Sequence, residues 1–528
     1  MTAETTTKPI LPTASPRPSR RFSNRHRHPG RIAAASALAV LSLFIASAAW
    51  FSLVFDPSHR FGLRRFRAWD SPIPSHSPRI PPPLKPDASF PSENPNCSSS
   101  SSSSSQLSLR HIVFGIAGSA NLWTRRREFI RLWWRPEAMR GHVWLDEGLP
   151  QFQSASASLP PVRISDDISR FRYTNPTGHP SGLRIARIIS ETFRLGHPDA
   201  RWFMLCDDDT IVSPDNLVSV LSKYDWREMV YVGGSSESHS ANTYFSHAMA
   251  FGGGGIAISY PLAAALAGMQ DGCLERYPKL YGSDDRLHAC ISELGVPLNH
   301  EYGFHQWDIR GNAHGILAAH PIAPFISIHH VEAVDPLYPG LSHIESLKLF
   351  TKASQMNPRS FLQRSICYDR NERMTFAVSL GYVVQVFPNI VLPRELERSE
   401  LTYTAWNRIS RKFEFDFDTK DPYRSVCKKP IQFFLSDVWE DGSVAVSTYL
   451  RSSKGDDLKR KVFCFPQSTP LPHVEEIQIL GHPLSENWHL MPRRLCCRVD
   501  QTVNGTLGLS VKQCGRRELG SVSESLLH

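Results

Sequence analysis

Apolar and polar positions along the chain change texture three times, and each texture predicts a different kind of structure. From Leu107 onward, short apolar runs alternate with longer amphipathic ones. HIVFGIAGS (His111 to Ser119) is apolar and β-branched and ends in small residues, the pattern of a buried strand feeding a turn. In WTRRREFIRLWW, Trp123, Phe129, Ile130, Trp133 and Trp134 gather mostly on one helical face, and Pro136 ends the segment. Val143-Trp144-Leu145 predicts a second strand, and SGLRIARIISETFRL (Ser181 to Leu195) a second helix. RWFMLCDDDTIVSPDNLVSVLSKY then reads as a strand, three acids, and a helix with start signals at Pro214-Asp215-Asn216. Strands alternating with helices predict an α/β domain with a largely parallel sheet, which we place at 107–335.

From 336 to 528 the pattern shortens. GYVVQVFPNIVL, FEFDFDTK, IQFFLSDVW, SVAVSTYL and KVFCFP read as strands separated by turn residues, and FEFDFD alternates strictly, as a half-buried strand does. This predicts a smaller β-rich C-terminal module.

The N-terminal texture is the opposite. Ile32 to Phe55 is an uncharged apolar run, long enough for a helix to cross a hydrocarbon core about 30 Å thick, with Trp50 and Phe51 near its far end as interfacial anchors. Residues 1–31 form a basic tail in which Lys8, Arg17, Arg20, Arg21, Arg25, Arg27 and Arg31 face one acid, Glu4. That flank predicts a cytosolic N-terminus, a signal-anchor at 32–55 and everything beyond in a lumen. Arg60, Arg64, Arg65 and Arg67 weaken the asymmetry without reversing it. A cleaved signal peptide (Ala46-Ser47-Ala48) and an organelle transit peptide are the competing readings; the run is longer than a signal core and not amphipathic as a transit peptide is. Residues 56–106, rich in proline and then serine, cannot build a core and predict a stem.

The net charge of +9 is concentrated in the N-terminal tail, so it does not point to a nucleic-acid partner. Ten cysteines fit an oxidising compartment. Cys206 lies inside an apolar run as a buried thiol, Cys273 and Cys290 can pair, and the six from Cys367 to Cys514 leave their pairing open. Without a CxxC pair, neither a zinc module nor a thioredoxin-like redox site is expected. Asn96 and Asn504 begin glycosylation sequons.

The strongest chemical signal is Asp207-Asp208-Asp209 directly after RWFMLC. Three carboxylates at a strand end repel one another unless a divalent cation sits among them, and hard oxygen ligands suit Mg²⁺ or Mn²⁺. Strand alternation turns Asp207 and Asp209 one way and Asp208 the other. A solvated acidic turn or a helix cap is the bland explanation of such a triplet. Gly252 to Gly255 admit positive φ and close backbone approach to a ligand, or serve as a flexible hinge or tight turn. Asp284 and Asp285 open a helix-like segment, where a carboxylate serves as a cap or as a general base. His329 and His330 end the apolar run FISI; on a strand, at most one faces a site.

Taken together, WFMLCDDDTIVSPDNL, FGGGGIAIS, the Asp284-Asp285 pair and the strand-borne histidine resemble the Fringe-like β-1,3-glycosyltransferases of glycosyltransferase family 31, and more narrowly the plant Fringe-related group, over 107–336. The resemblance implies a GT-A fold and a UDP-sugar donor held through Mn²⁺ or Mg²⁺. It implies that Asp207 and Asp209 bind metal and that Asp207, Asp208, Gly253, Gly254 and Asp284 bind donor. Asp285 falls on the base position, and the late metal ligand falls on His329 or His330, with His305 in a rival register. It further implies a glycan or glycoprotein acceptor, inversion, and a single-pass type II protein of the Golgi membrane. An inactive sugar-binding or scaffolding relative, and a metal-dependent phosphohydrolase built on the triplet, are the alternatives.

Overall fold

The computed structural model describes residues 106–149, 157–408, 412–452, 454–464 and 471–518. The tail, the anchor at 32–55 and the stem up to residue 105 lie outside them; no helix among the described residues is long and apolar enough to cross a membrane.

The chain begins with β1 (Ile112–Ala117), α1 (Trp123–Trp133), β2 (Arg140–Leu145), β3 (Val162–Ile164), α2 (Ser181–Arg194) and β4 (Trp202–Asp207). There follow β5 (Ile211–Val212), α3 (Pro214–Leu221), β6 (Tyr231–Gly233), α4 (His239–Tyr244), β7 (Ile256–Ser259), α5 (Tyr260–Arg276), α6 (Ser283–Glu293) and β8 (Leu298–His300). Next come β9 (Phe304–His305), β10 (Ile309–Gly311), α7 (His314–Ala318) and β11 (Ser327–Ile328).

The main sheet has the order β3-β2-β1-β4-β7-β6-β8. β1 runs parallel to β2 and β4, and β6 parallel to β8, but β7 is antiparallel to both neighbours. The sheet is therefore parallel with one reversed strand. The period of two sorts its side chains cleanly. Ile112, Phe114, Ile116, Trp202, Met204 and Cys206 enter one core, and Val113, Ala117, Phe203 and Leu205 the other. α1 and α3 cover the first face; α2, α5 and α6 cover the second. Each large apolar side chain buried this way contributes roughly 1.5–3 kcal/mol before entropy is counted.

Residues 364–512 supply an eight-stranded sheet. Arg364–Asp369, Met374–Ser379, Val383–Phe387, Ile431–Asp441, Val444–Arg451 and Glu476–Gly481 pair antiparallel in that order, and Thr506–Lys512 then joins parallel, with Cys496–Val503 at the edge. Two expected strands depart from expectation. Lys461–Phe463 of KVFCFP end the helix Lys454–Phe463, whose preceding GDDLKR is charged and helix-compatible. In FEFDFDTK, Phe415 is buried between Glu414 and Asp416 but Phe413 is exposed; Phe415 makes an isolated bridge to Ser238, and Thr419–Lys420 forms a two-residue strand.

The texture changes near 335, yet the packing does not break there. One apolar cluster runs from Ile112 through Phe325, Phe350 and Tyr382 to Val511. Tyr403–Ala405 also adds a strand to β10, in the register Ile309↔Ala405. Disulfides join Cys273–Cys290, Cys367–Cys497, Cys427–Cys464 and Cys496–Cys514, and Cys206 is the free cysteine among the described residues, fully buried.

Candidate active site

Two pairings bring the site together. β7 is antiparallel to β4, with Leu205 opposite Ile256, so the glycine run entering β7 lies beside the acids leaving β4. β11 pairs with β5, Ile328 opposite Ile211, which sets His329 beside Asp209. A parallel β7 would have carried the glycines to the far edge of the sheet.

Asp207, Asp209 and His329 meet. His329 Nε2 stands 3.3 Å from Asp207 Oδ2 and 3.1 Å from Asp209 Oδ1. Asp209 and His329 are buried, and Asp209 Oδ1 and His329 Nδ1 have no well-aligned hydrogen-bond partner. Adjacent ligands of an octahedral ion with bonds of about 2.1 Å stand about 3 Å apart, so these distances and the orphaned Asp209 Oδ1 fit a divalent cation. Hard Mg²⁺ or Mn²⁺ suits two carboxylates and one imidazole. The field is strong without the ion. Burial opposes charge on His329, but the carboxylates of Asp209 and Asp207 raise it to about 10. Burial would raise Asp209, but the charges of His329 and Arg126 hold it well below the usual carboxylate range.

Asp208 points away, as alternation requires, and is buried. Its Oδ1 accepts from Arg126 Nη1 at 2.8 Å. Arg126 also reaches Asp209 Oδ2 at 2.9 Å and Glu332 Oε2 at 3.2 Å. Burial, with the neighbouring Asp209 charge, still raises Asp208 to about 7. The Asp208–Arg126 ion pair braces the triplet from behind.

The glycines pack rather than cradle. Gly253 and Gly254 are buried. A β-carbon at 253 would lie 2.2 Å from the His329 ring, and one at 252 would lie 2.5 Å from Asp284 Oδ1. The Gly253 carbonyl accepts from Thr210 Oγ1, and the Gly254 N–H donates to Gln306 Oε1, each at 2.8 Å. These groups of Gly253 and Gly254 hold the site's own residues in place.

His330 leaves the triad. Its backbone turns left-handed (φ 52°), which swings the ring onto Trp406, with centroids 4.2 Å apart, and sets Nδ1 3.3 Å from Asp308 Oδ1. Of the two histidines, His329 is the one that joins Asp207 and Asp209. His305 bonds Glu237 Oε1 at 2.9 Å and His320 Nε2 at 3.0 Å, away from the triplet.

Asp284 and Asp285 line a cleft of about 670 Å³ with Asp308, His330, Tyr244 and Trp406. Asp284 is raised to about 7 by burial and then by the Asp207 charge. Asp285 accepts from the backbone N–H of Tyr281 at 2.7 Å and of Gly282 at 3.0 Å, capping α6. Burial raises it too, and those two donors pull the other way. Each of its oxygens keeps a second acceptor direction.

Sequence reasoning missed Arg126, Gln306 and Glu332. WTRRREF marks Arg126 as polar-face, but nothing local distinguishes it from Arg125 and Arg127.

Residues 241–497 match the family described as "Protein of unknown function, DUF604". A human protein named beta-1,3-glucosyltransferase is 32% identical over 122 residues, 22% of this chain and 23% of that protein. Its mouse counterpart is 30% identical over 119 residues, with the same shares. The chain thus spans under a quarter of the length of these curated relatives. Among solved structures, apo mouse xyloside xylosyltransferase 1 aligns at 11% identity over 36% of this chain and 84% of that one, TM-score 0.25. A glycosyltransferase involved in glycosylating the major capsid of PBCV-1 aligns at 10% over 45% and 97%, TM-score 0.23.

Proposed function

We propose that this chain is a metal-dependent glycosyltransferase that moves a hexose or N-acetylhexosamine from a UDP-sugar to a glycan or glycoprotein hydroxyl, with inversion and in β-1,3 linkage. The observation that carries the reading is the convergence of Asp207, Asp209 and His329 at the end of β4, beside a cleft that holds a second carboxylate pair. Ligands of α/β sheets gather at such strand ends. The identity of about one residue in three to the two beta-1,3-glucosyltransferases supports the same chemistry and the linkage. The Fringe-like GT-A assignment rests on the motifs WFMLCDDDTIVSPDNL and FGGGGIAIS.

Asp207, Asp209 and deprotonated His329 would hold Mn²⁺ or Mg²⁺, the two carboxylates as the negative ligands, and the ion would supply Lewis-acid stabilisation of the departing diphosphate. Arg126 keeps Asp209 ionised and fixed. Asp285 accepts the acceptor hydroxyl's proton; the Tyr281 and Gly282 amides hold its carboxylate in one orientation, as a base working through a short transition-state hydrogen bond needs. Asp284, nearer Asp207, faces the donor side. The four disulfides fit the oxidising lumen expected of a Golgi protein anchored at 32–55.

The occupation of both Asp285 oxygens by backbone donors is the observation that favours a second reading, a sugar-binding relative without turnover. UDP release by the full-length protein from a panel of UDP-sugars with Mn²⁺ separates the two. Manganese-dependent release abolished by Asp209→Asn is expected. Donor binding without release in wild type overturns the enzyme in favour of the binder.

A further inference from the structure

A second constellation lies on α4 and the turn after it, outside the lining of the cleft and away from the acid triplet. α4 carries His239, the turn after it carries His247, and the 413–418 stretch brings Asp416 to both. His239 Nδ1 stands 2.6 Å from Asp416 Oδ1, and His247 Nδ1 3.7 Å from Asp416 Oδ2. One ligand atom from each residue lies within 4.8 Å of the others, and all three are exposed, with the ring centroids 5.9 Å apart. Simple pairing accounts for His239 and Asp416. It does not account for His247, whose Nδ1 comes to the same carboxylate beyond hydrogen-bonding distance.

The carboxylate is placed, not adrift. Asn242 Nδ2 donates to Asp416 Oδ2 at 2.7 Å, and the Asp416 N–H donates to the Glu237 carbonyl at 3.2 Å. One residue pair earlier, Ser238 and Ser240 donate their hydroxyls to Glu414 Oε1. The alternating acids of FEFDFD thus form a polar strip docked along α4, and the two histidines close over its middle.

We propose that His239, His247 and Asp416 form a zinc site. Two imidazoles and one carboxylate at the surface are a three-ligand set of zinc type, with water as the fourth ligand. Imidazole binds Zn²⁺ more tightly than Mn²⁺, so the ligand sets sort the two metals: Mn²⁺ or Mg²⁺ to the carboxylate-rich triad, zinc to the histidine pair. The zinc clamps the 413–418 stretch to α4. Tyr244, which ends that helix, and Phe245 after it form the cleft wall together with Tyr281 and Asp285. Zinc therefore rigidifies the acceptor side of the cleft without touching the triad.

The test uses metal-stripped full-length protein in detergent and zinc alone as the probe, with binding counted by calorimetry. Asp209→Asn disables the triad, so that variant binds one zinc equivalent, and Asp209→Asn combined with His247→Ala binds none. His247 is an exposed side chain, so its removal leaves folding intact. In Asp209→Asn, zinc slows amide exchange across 238–247, and the slowing disappears with His247→Ala. A double variant that retains its zinc equivalent overturns the site. Two equivalents in Asp209→Asn, falling to one in the double variant, also uphold this site.

Discussion

Gly253 and His329 occupy complementary space: the imidazole sits where a side chain at 253 would begin, 2.2 Å from an added β-carbon. The His329 ring is thereby positioned by the absence of an atom at a residue 76 positions earlier in the chain. Gly253→Ala forces the ring or the backbone to move, at a cost of about 1–3 kcal/mol, and shifts His329 off Asp209. A melting point several degrees lower and weakened Mn²⁺ binding are expected. Gly268→Ala is the control, since a β-carbon there meets nothing within 4 Å in the helix α5 and stabilises by up to about 1 kcal/mol. Equal behaviour of the two variants would contradict the packing argument.

Metal and proton compete for His329. Its pKa is raised from 6.5 to about 10 in the ion-free protein, so at neutral pH the ring is charged and must lose a proton to bind Mn²⁺. Apparent Mn²⁺ affinity should therefore climb between pH 6.5 and 10, with close to one proton released per ion near neutrality. The metal-free stability from this histidine is complete below 6.5 and fades as pH rises through 10. Calorimetry in buffers of different ionisation enthalpy counts the protons; a pH-independent affinity would rule out this ligand.

Arg126 neutralises two buried carboxylates at once, Asp208 and Asp209. Arg126→Ala leaves both buried carboxylates without this partner and is expected to cost about 3–5 kcal/mol. Because Mn²⁺ can replace the lost charge at Asp209, saturating metal should restore part of the melting temperature in the variant, and more than it adds to wild type. Urea melts with and without metal read this directly.

Asp284 is held at a cost. A carboxyl raised from 3.8 to about 7 penalises the folded state increasingly as pH climbs from 3.8 and fully above 7. Asp284→Asn keeps an oxygen for the Gly252 N–H and removes the charge. Without metal, it should melt higher than wild type at pH 8 and alike at pH 3.5, while losing transfer. Stability gained where activity is lost is the usual trade at a functional carboxylate. A variant that melts lower at pH 8 would contradict the burial of the charge.

The 107–335 segment should not fold by itself. Truncation after 335 strips Phe350, Phe361 and Tyr382 from the core shared with Ile112 and Phe325, and leaves β10 without its partner strand. Poor solubility and an absent cooperative melt are expected; a folded, monomeric fragment would show the module to be separable.

Much of this protein is written locally. β1, β4, α1 and α2 are legible because burial on one or both faces imposes a period of two or 3.6 within a few residues, and Asp207 to Asp209 stand out because adjacent charges at a strand end need a reason. FEFDFD and KVFCFP misled for the same cause: an alternating or apolar hexapeptide satisfies several partners, and its neighbours choose. The site was legible as a collection and not as an arrangement. The reversal of β7 brings Gly253 to Asp209, the left-handed turn at His330 gives His329 to the triad, and the 413–418 strip carries Asp416 to His239. Each of these joins residues dozens to more than a hundred positions apart. Periodicity reports what a side chain must be buried against, whereas distance in space between ligands depends on strand order and register, which the folded chain alone settles.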